Sequence, residues 1–371
     1  MTSSDIKLKR GGLRGLLDFL SDQRARGLSL AVATVVETQG ATYRKSGASM
    51  LIASDGTWRG LLSGGCLEGD LAHHAQEIIR SGGARVIEYD LEAMTDAVFG
   101  FGLGCEGSVR ILIEGLGPDN DWEPFATLGR LAMQGQRGLL LRVIDAPRKR
   151  FAVGAWCLAP ADGTPTGEIG LLEAAGPVLP ATGSIIEQGE RGARIRVLST
   201  AIPRIPHLVL LGAAPDAAPV VALAAALGWR ITAIDHRPAF ADPRRLSGAD
   251  DVLLFDARDP AILRRLESAD AAVVMSHNLE ADARYLEAAI ASPAPYIGLL
   301  GPVARRNRLL EMARAQPADR SRIHGPVGLD LGGDGPEAVA LAIIAEIQMV
   351  LMERPGGSRD PRTADAAPAL Q

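Results

Sequence analysis

The second half of the chain alternates between short apolar runs and helical segments, and this rhythm restricts the fold more than any other feature. The runs begin with HLVLLG at 207–212 and continue with RITAIDHR, VLLFD, AAVVMSHN and PYIGLLG. Each run has the length and composition of a strand that is buried on both faces. Because helices separate them, the strands are expected to pair in parallel. The pattern predicts a doubly wound parallel sheet with helices on both faces.

The first half has a less regular pattern, which predicts a mixed α/β domain. Leucines at helical spacing predict a helix over 11–26, and a second helix is predicted over 67–81 with apolar strands around it. The proline-spaced segment Ile202–Pro206 is the candidate linker. The predicted domains are an N-terminal mixed α/β domain at 1–202, a C-terminal Rossmann-like domain at 203–354 and a disordered tail at 355–371.

Composition and charge exclude several classes of function. A net charge of −5 with scattered basic residues gives no electrostatic reason to bind nucleic acid or an anionic membrane. Three cysteines in 371 residues do not make a disulfide framework and suit a reducing compartment. Neither a signal-peptide pattern nor an apolar run of about 20 residues is present. We therefore expect a soluble, cytoplasmic protein with no nucleic-acid and no membrane partner.

Two cysteines lie among glycines, in Gly64-Gly65-Cys66 and in Gly104-Cys105-Glu106-Gly107. Glycines let backbone N–H groups converge and let a bulky ligand approach. A thiol at the start of a helix has a lowered pKa, so more of it is the reactive thiolate at neutral pH. Two soft thiolates suit a soft or thiophilic ligand.

A zinc site is the alternative interpretation of these cysteines. No C-x-x-C pair is present, and His73 and His74 are adjacent, so on a helix they point about 100° apart and do not readily share a metal. Cys157 lies in an apolar run and is expected to be a core residue.

The Rossmann-like half carries a damaged dinucleotide fingerprint. Gly212-Ala213-Ala214-Pro215 stands where G-x-G-x-x-G/A is expected, and Asp235 stands where an acid would bind a ribose. The methyl group of Ala214 would point into the pyrophosphate contact. This favours a Rossmann scaffold without tightly held NAD(P). An NAD(P)-dependent oxidoreductase, with His277 as acid or base, is the alternative.

Two further candidates lie at the carboxyl ends of predicted strands. His277 lies at the carboxyl end of AAVVMSHN, at the rim where open α/β sheets bind ligands, although a structural histidine is the alternative. Arg305 and Arg306 follow PYIGLLG near a helix start, where two guanidinium groups could hold a phosphate or form a solvated helix face.

Together these segments resemble the XdhC/CoxI family, maturation factors for xanthine dehydrogenase and related molybdenum hydroxylases. The first conserved block resembles VVETQGATYRKSGASMLI with GLLSGGCLEGDL, and the second resembles YDLEAMTDAVFGFGLGCEGSVRILIE. Motifs of the Rossmann half resemble DHRPAF, VVMSHN-x3-D (with Asp282 as its last residue), YIGLLGP and HGPVGLDLGGDGPEAVALAIIAEI. The likeness covers residues 14–115 and 205–352.

The resemblance implies a chaperone rather than a turnover enzyme. Such a protein binds the molybdenum cofactor (molybdopterin) transiently, protects it while a terminal sulfur is installed, and delivers it to a hydroxylase of the xanthine dehydrogenase type. A cysteine desulfurase is a candidate second partner, and the apolar helix at 336–352 is a candidate homodimer surface. Cys66 and Cys105 are the residues expected to contact molybdenum or its sulfur. The full set of predicted cofactor-binding residues is Ser63, Gly64, Gly65, Cys66, Glu68, Gly104, Cys105, Gly107, Gly212, Asp235, His277 and Arg305.

Two positions depart from the family pattern. Glu106 stands in a motif that is commonly Gly-Cys-Gly-Gly, and its carboxylate is expected to raise the thiol pKa of Cys105. Gly212-Ala213-Ala214-Pro215 stands for the usual Gly-Ala-Gly-His. Both changes fall at implied ligand sites, so we expect either a variant cofactor or partner, or one weakened site.

Overall fold

The computed structural model describes residues 10–91, 107–146, 151–176, 183–188 and 194–358. The chain divides into two compact units, one formed by residues 11–205 and the other by residues from 206 onward together with Arg10. Each unit has its own hydrophobic core. Within the described residues, no helix is long and apolar enough to span a bilayer.

The unit formed by residues 11–205, the first unit, contains two five-stranded antiparallel sheets. The strands of one are β1 (Leu30–Gly40), β2 (Ser49–Ala53), β3 (Trp58–Arg59), β4 (Ala84–Asp90) and β5 (Gly107–Leu116). Those of the other are β6 (Gly138–Asp145), β7 (Trp156–Pro160), β8 (Thr166–Gly167), β9 (Ser184–Gln188) and β10 (Ile195–Ala201). The spatial orders are β3-β2-β1-β5-β4 and β8-β7-β6-β10-β9. The helices are α1 (Gly12–Ala25), α2 (Glu68–Ser81), α3 (Phe125–Met133) and α4 (Gly170–Ala175).

Strand β1 is the centre of its sheet because both of its faces are apolar. Ala33 and Val35 pack in the same cluster as Leu71 of α2, whereas Val32 packs with Leu16 of α1. This alternation follows from the two-residue period of a strand. It fixes α2 on one face of the sheet, with the glycine-flanked cysteine segment at the N-terminal end of that helix.

The second unit contains a six-stranded parallel sheet. Its strands are β11 (His207–Leu211), β12 (Arg230–Asp235), β13 (Asp251–Leu254), β14 (Ala271–Val274), β15 (Tyr296–Leu299) and β16 (Ile323–His324). The helices are α5 (Ala217–Ala226), α6 (Ala261–Leu266), α7 (Leu279–Ala291), α8 (Val303–Met312) and α9 (Pro336–Leu351). The spatial order is β13-β12-β11-β14-β15-β16, so the order reverses between β11 and β14.

Helices cover both faces of this sheet. Residues of α5 and α9 pack in one core cluster, and residues of α6, α7 and α8 pack in another. The predicted mixed α/β fold with a doubly wound parallel sheet is therefore confirmed. The predicted tail lies outside the described residues from 359 onward, so its disorder stays a prediction.

Candidate functional site

One buried carboxylate holds together the loop that carries Cys66. Glu68 is the first residue of α2 and is only 2% exposed. Its Oε1 accepts the backbone N–H groups of Leu62 (2.8 Å) and Ser63 (2.9 Å). Its Oε2 accepts the Ser63 hydroxyl (2.5 Å) and the Gly65 N–H (3.0 Å). Four donors converge on one side chain, so the segment from Leu62 to Gly65 is wrapped around Glu68.

The electrostatics of Glu68 match this geometry. Burial alone would raise the pKa of the carboxyl, but hydrogen bonds from Ser63 and from the N–H groups of Ser63 and Leu62 outweigh it and hold the pKa below its ordinary value. The carboxylate is ionised at neutral pH, and its hydrogen bonds are charge-assisted. Glu68 therefore contacts the loop and positions it, and its predicted contact with the cofactor stays a prediction.

The two glycines let this loop turn and leave Cys66 exposed. Gly64 and Gly65 have φ angles of 82° and 116°, a backbone region that residues with a Cβ rarely adopt. At Gly65 an added Cβ would meet nothing within 4 Å, so conformation rather than space requires glycine there. At Gly64 it would meet the ring of Tyr43 at 3.7 Å. The thiol is thus presented on an ordered turn just before α2.

The second predicted cysteine segment is only partly described. Gly104, Cys105 and Glu106 lie outside the described residues, so their roles stay predictions. Gly107 begins β5, where an added Cβ would lie 2.1 Å from the carbonyl oxygen of Gln39. The pairing of β5 with β1 therefore explains this glycine without a ligand.

The third cysteine is a core residue, as predicted. Cys157 lies in β7, is fully buried, and packs in a cluster with Leu141 and Leu171. Burial raises the pKa of its thiol, with a smaller contribution from Glu168. Within the described ranges, no three His, Cys, Asp or Glu side chains are grouped closely enough to hold a metal ion.

In the second unit, the fingerprint turn is packed against its own sheet. An added Cβ at Gly212 would lie 2.5 Å from the backbone of Met275 and Ser276, so the close approach of the segment after β14 requires this glycine. Ala214 is buried. Gly212 thus has a structural explanation within the sheet.

The predicted ribose-binding acid is also hydrogen-bonded within the protein, to its own loop and to the turn after β11. Asp235 is fully buried, and its Oδ1 accepts the Arg237 backbone N–H and Nε, each at 2.9 Å. Its Oδ2 accepts the Ala213 N–H (2.8 Å) and Arg237 Nη2 (2.9 Å). Burial would raise the pKa of Asp235, but the bonds from Arg237 and Ala213 outweigh it and lower that pKa. Each oxygen already accepts two hydrogen bonds, which uses the usual capacity of a carboxylate.

His277 lies where the order of the parallel strands reverses. Its φ of 62° is unusual for a residue with a side chain. Its Nε2 lies 2.8 Å from Oδ2 of Asp216, in the loop after β11, and both side chains are accessible to solvent. The carboxylate orients the imidazole at this edge of the sheet. The sequence interpretation did not assign Asp216 a role.

Arg305 and Arg306 bind different protein partners. Arg305 Nη2 lies 2.6 Å from Oδ2 of Asp282, and the other oxygen of Asp282 accepts the backbone N–H (3.0 Å) and hydroxyl (2.5 Å) of Ser276. Arg306 donates to the carbonyl oxygen of Gly325 at 2.7 Å. The structure thus uses Arg305 to brace the segment before His277, and it does not bring the two guanidinium groups to one phosphate site. In the sequence, Asp282 is marked only by its place as the last residue of the motif VVMSHN-x3-D.

Comparison with known proteins identifies the family. Residues 208–347 match the model of the XdhC Rossmann domain, and residues 23–90 match the model of the XdhC and CoxI family. Together these matches cover more than half of the chain. The chain belongs to the XdhC and CoxI family. The shorter matched segment contains the Cys66 loop, and the longer one contains the His277–Asp216 pair.

Relatives of this XdhC and CoxI family member align over most of its length. It is 28% identical to a Bacillus subtilis protein named as a probable xanthine dehydrogenase subunit, over 91% of this chain and 97% of the relative. It is 24% identical to the molybdenum cofactor insertion chaperone PaoD of Escherichia coli, over 92% of this chain and 89% of the relative. The crystal structure of a xanthine dehydrogenase from Bacillus halodurans is similar, with a TM-score of 0.74, 25% identity, and coverage of 93% of this chain and 98% of that one.

Proposed function

We propose that the protein is a maturation factor that carries the molybdenum cofactor as cargo for a hydroxylase of the xanthine dehydrogenase type. It protects the cofactor while a terminal sulfur is installed, and then delivers it. Family membership and the relative that bears the name of a molybdenum cofactor insertion chaperone support this proposal.

The observation that carries the proposal is the exposed thiol of Cys66 on a loop that Glu68 holds in place. A thiolate is a soft ligand, and molybdenum with its dithiolene and terminal sulfurs is a thiophilic centre. Because the loop is already ordered by four hydrogen bonds, little conformational freedom is lost when cargo binds. Cys105, which lies outside the described residues, is the proposed second sulfur contact.

The remaining parts of the proposal concern partners and location. The hydroxylase is the proposed recipient, a cysteine desulfurase is the proposed sulfur donor, and the cytoplasm is the proposed compartment. A homodimer through α9 is also proposed: Ile343 and Ile347 pack into the core of the second unit, whereas Leu341 is exposed. NAD(P) has no part in the proposal, since the carboxylate of Asp235 is bound by Arg237 and Ala213.

A transfer experiment tests this function. The protein is purified from cells that make the cofactor, assayed for molybdenum and pterin, and mixed with the apo form of a candidate hydroxylase. We expect both components to co-purify with the protein and the hydroxylase to gain activity. Protein purified from cells unable to make the cofactor is the control. The proposal fails if the protein carries neither component, or if the two preparations activate the hydroxylase equally.

A further inference from the structure

The first unit contains a cleft of about 440 Å³ that the sequence interpretation did not identify. This volume lies within the range of small-molecule sites. Its lining includes apolar side chains, arginines and the first residues of α1. Its apolar lining comprises Leu13, Leu16, Leu61, Phe125, Leu128 and Leu140.

Two arginines line the cleft near the solvent. Arg44 is exposed, and its guanidinium group makes no hydrogen bond or ion pair with any residue in the described part of the chain. Arg59, which lies in the short strand β3, contributes a second positive charge. Guanidinium groups bind phosphate oxygens with paired, charge-assisted hydrogen bonds.

The N-terminus of α1 also faces this cleft, since Gly11, Gly12 and Leu13 line it. Gly11 is the N-cap residue and supplies no side chain to cap the helix, and the first turn contains no acidic residue. The N–H groups of such a helix end carry partial positive charge and favour an anion.

A buried arginine at the same cleft provides an independent observation. Arg142 lines the cleft and is only 5% exposed. Its Nη1 is bound to Thr34 (2.9 Å) and Glu114 (3.0 Å), but its Nε is buried and finds no acceptor among the described residues. Buried N–H groups of native proteins nearly always have a partner, so the wall of the cleft contains a donor that the described residues leave unpaired.

We propose that this cleft binds an aromatic heterocycle that bears a phosphate monoester. This inference rests on the proposed function, because the pterin phosphate of the cargo has that chemistry. The arginines and the α1 N-terminus hold the phosphate, and the apolar lining contacts the ring. The cleft adjoins the Cys66 loop through two chain segments. Leu61 lines the cleft and directly precedes that loop, while Arg44 follows Tyr43, whose ring lies beside Gly64. The phosphate end and the sulfur end of one cargo molecule thus have neighbouring sites.

The test measures binding of hydroxymethylpterin monophosphate and of unphosphorylated hydroxymethylpterin to the full chain, by the fluorescence of the pterin. We expect the phosphate to increase affinity about tenfold. Arg44→Gln and Arg59→Gln are each expected to remove most of that gain. Arg80→Gln is the matched control, because it removes the same charge from an exposed position on α2 away from the cleft lining. Circular dichroism checks that all variants are folded.

The outcomes separate this inference from the proposed function. Molybdenum retained by the protein in cells is measured separately, because neither probe contains sulfur or molybdenum. If the phosphate makes no difference to affinity, or if Arg44→Gln and Arg59→Gln bind the phosphorylated probe as the parent does, the inference is overturned. If the arginines govern binding of the probe but the protein retains no molybdenum in cells, the cleft site stands and the proposed function fails.

Discussion

At the residue scale, Glu68 shows how a buried charge determines the conformation of a segment that carries an exposed thiol. Its four hydrogen bonds fix the backbone from Leu62 to Gly65, and Ser63 Oγ in turn accepts the N–H of Leu67 at 2.8 Å. Leu62, Ser63 and Gly65 are thereby tied to the first residue of α2. The orientation of Cys66 consequently depends on a side chain two residues away.

Replacing Glu68 with glutamine is predicted to destabilise the protein. The amide NH₂ group would face an N–H donor of the loop and leave it without an acceptor. We expect the free energy of unfolding to fall by about 1–3 kcal/mol, as measured by urea denaturation. Glu77→Gln, at a solvent-accessible position of the same helix that pairs with Arg85, is the control and is expected to change it by less than about 0.5 kcal/mol. Equal effects of the two substitutions would contradict the role given to Glu68.

His207 is predicted to make stability depend on pH. Burial, together with the nearby charge of Arg230, lowers its pKa from 6.5 to about 4. Arg230 Nη2 lies 2.7 Å from Nδ1, and Nε2 lies 3.0 Å from the Thr232 hydroxyl, so protonation of the ring would place a second positive charge beside the guanidinium group. The unfolded chain binds this proton near pH 6.5 and the folded chain only near pH 4. The contribution of the neutral His207 ring to the free energy of unfolding is therefore complete above pH 6.5 and is lost as the pH falls to 4.

The expected loss over that interval is about 3 kcal/mol in the free energy of unfolding. Urea denaturation of the parent and of His207→Gln at several pH values from 7.5 to 4 measures it. The variant lacks the titrating group, so its stability is expected to fall less steeply. Parallel pH profiles of the two proteins would show that His207 does not titrate as described.

At the scale of the elements, the parallel sheet was the most predictable part of the fold. Strands buried on both faces are continuous apolar runs, and HLVLLG, for example, contains β11 with one extra residue. The strand predicted over AAVVMSHN ends earlier, at Val274. The following segment is bound by Asp282 and contains His277 with φ of 62°. Such side-chain hydrogen bonds leave no periodic signal in the sequence.

The antiparallel sheets could be predicted only in part. The apolar runs of β1 and β5 were visible in the sequence, but their pairing joins residues that are far apart in the chain, such as Val32 and Glu114. Periodicity shows that a strand exists and does not show which strand it pairs with. Helix α4 (Gly170–Ala175) was missed, because six residues bounded by glycines are too few for a helical period.

The candidate site, too, could be predicted from the sequence only in part. The pattern of glycines around Cys66 was visible, and the exposed thiol lies where the sequence placed it. The convergence of N–H groups on Glu68 was not visible, because it depends on the turn geometry. Gly107 and Gly212 were assigned to ligand binding, yet close contacts within the sheets account for both. A glycine pattern alone does not distinguish contact with a ligand from contact with neighbouring backbone.

The turn between β11 and α5 is predicted to bind nicotinamide dinucleotides weakly. The methyl group of Ala214 replaces the glycine that admits a pyrophosphate, and the oxygens of Asp235 are bound by Arg237 and Ala213. We expect NAD(H) and NADP(H) to bind no tighter than the high-micromolar range, about −5 to −6 kcal/mol, by calorimetry. Low-micromolar affinity for either would favour the oxidoreductase alternative.

At the scale of the whole molecule, the C-terminal tail is predicted to add little stability. Residues 355–371 show no apolar periodicity, so their removal is not expected to disturb a core. We expect the free energy of unfolding of the truncated chain to stay within about 0.5 kcal/mol of the parent. Thermal and urea unfolding of the two proteins measure this. A decrease of several kcal/mol would mean that the tail packs against the folded chain.

The proposal that the protein carries the cofactor concerns the whole molecule, because we expect cofactor retention to need both a sulfur contact and an intact fold. Three cysteine substitutions separate these requirements. Cys66→Ser removes the soft ligand from an exposed turn. Cys157→Ser places a hydroxyl in a buried apolar strand, so we expect it to cost stability and spare cofactor binding. Cys105→Ser is expected to cause a smaller loss of cofactor than Cys66→Ser, because Glu106 disfavours the thiolate beside it.

The most direct measurement is the molybdenum and pterin content per folded protein of the parent and of Cys66→Ser, purified from the same cofactor-producing cells. We expect the Cys66→Ser protein to keep its circular dichroism spectrum and to lose most of its molybdenum and pterin, while Cys157→Ser protein that folds retains them. If Cys66→Ser holds as much cofactor as the parent, then Gly64-Gly65-Cys66 is only a tight turn into α2, and the cofactor is bound elsewhere.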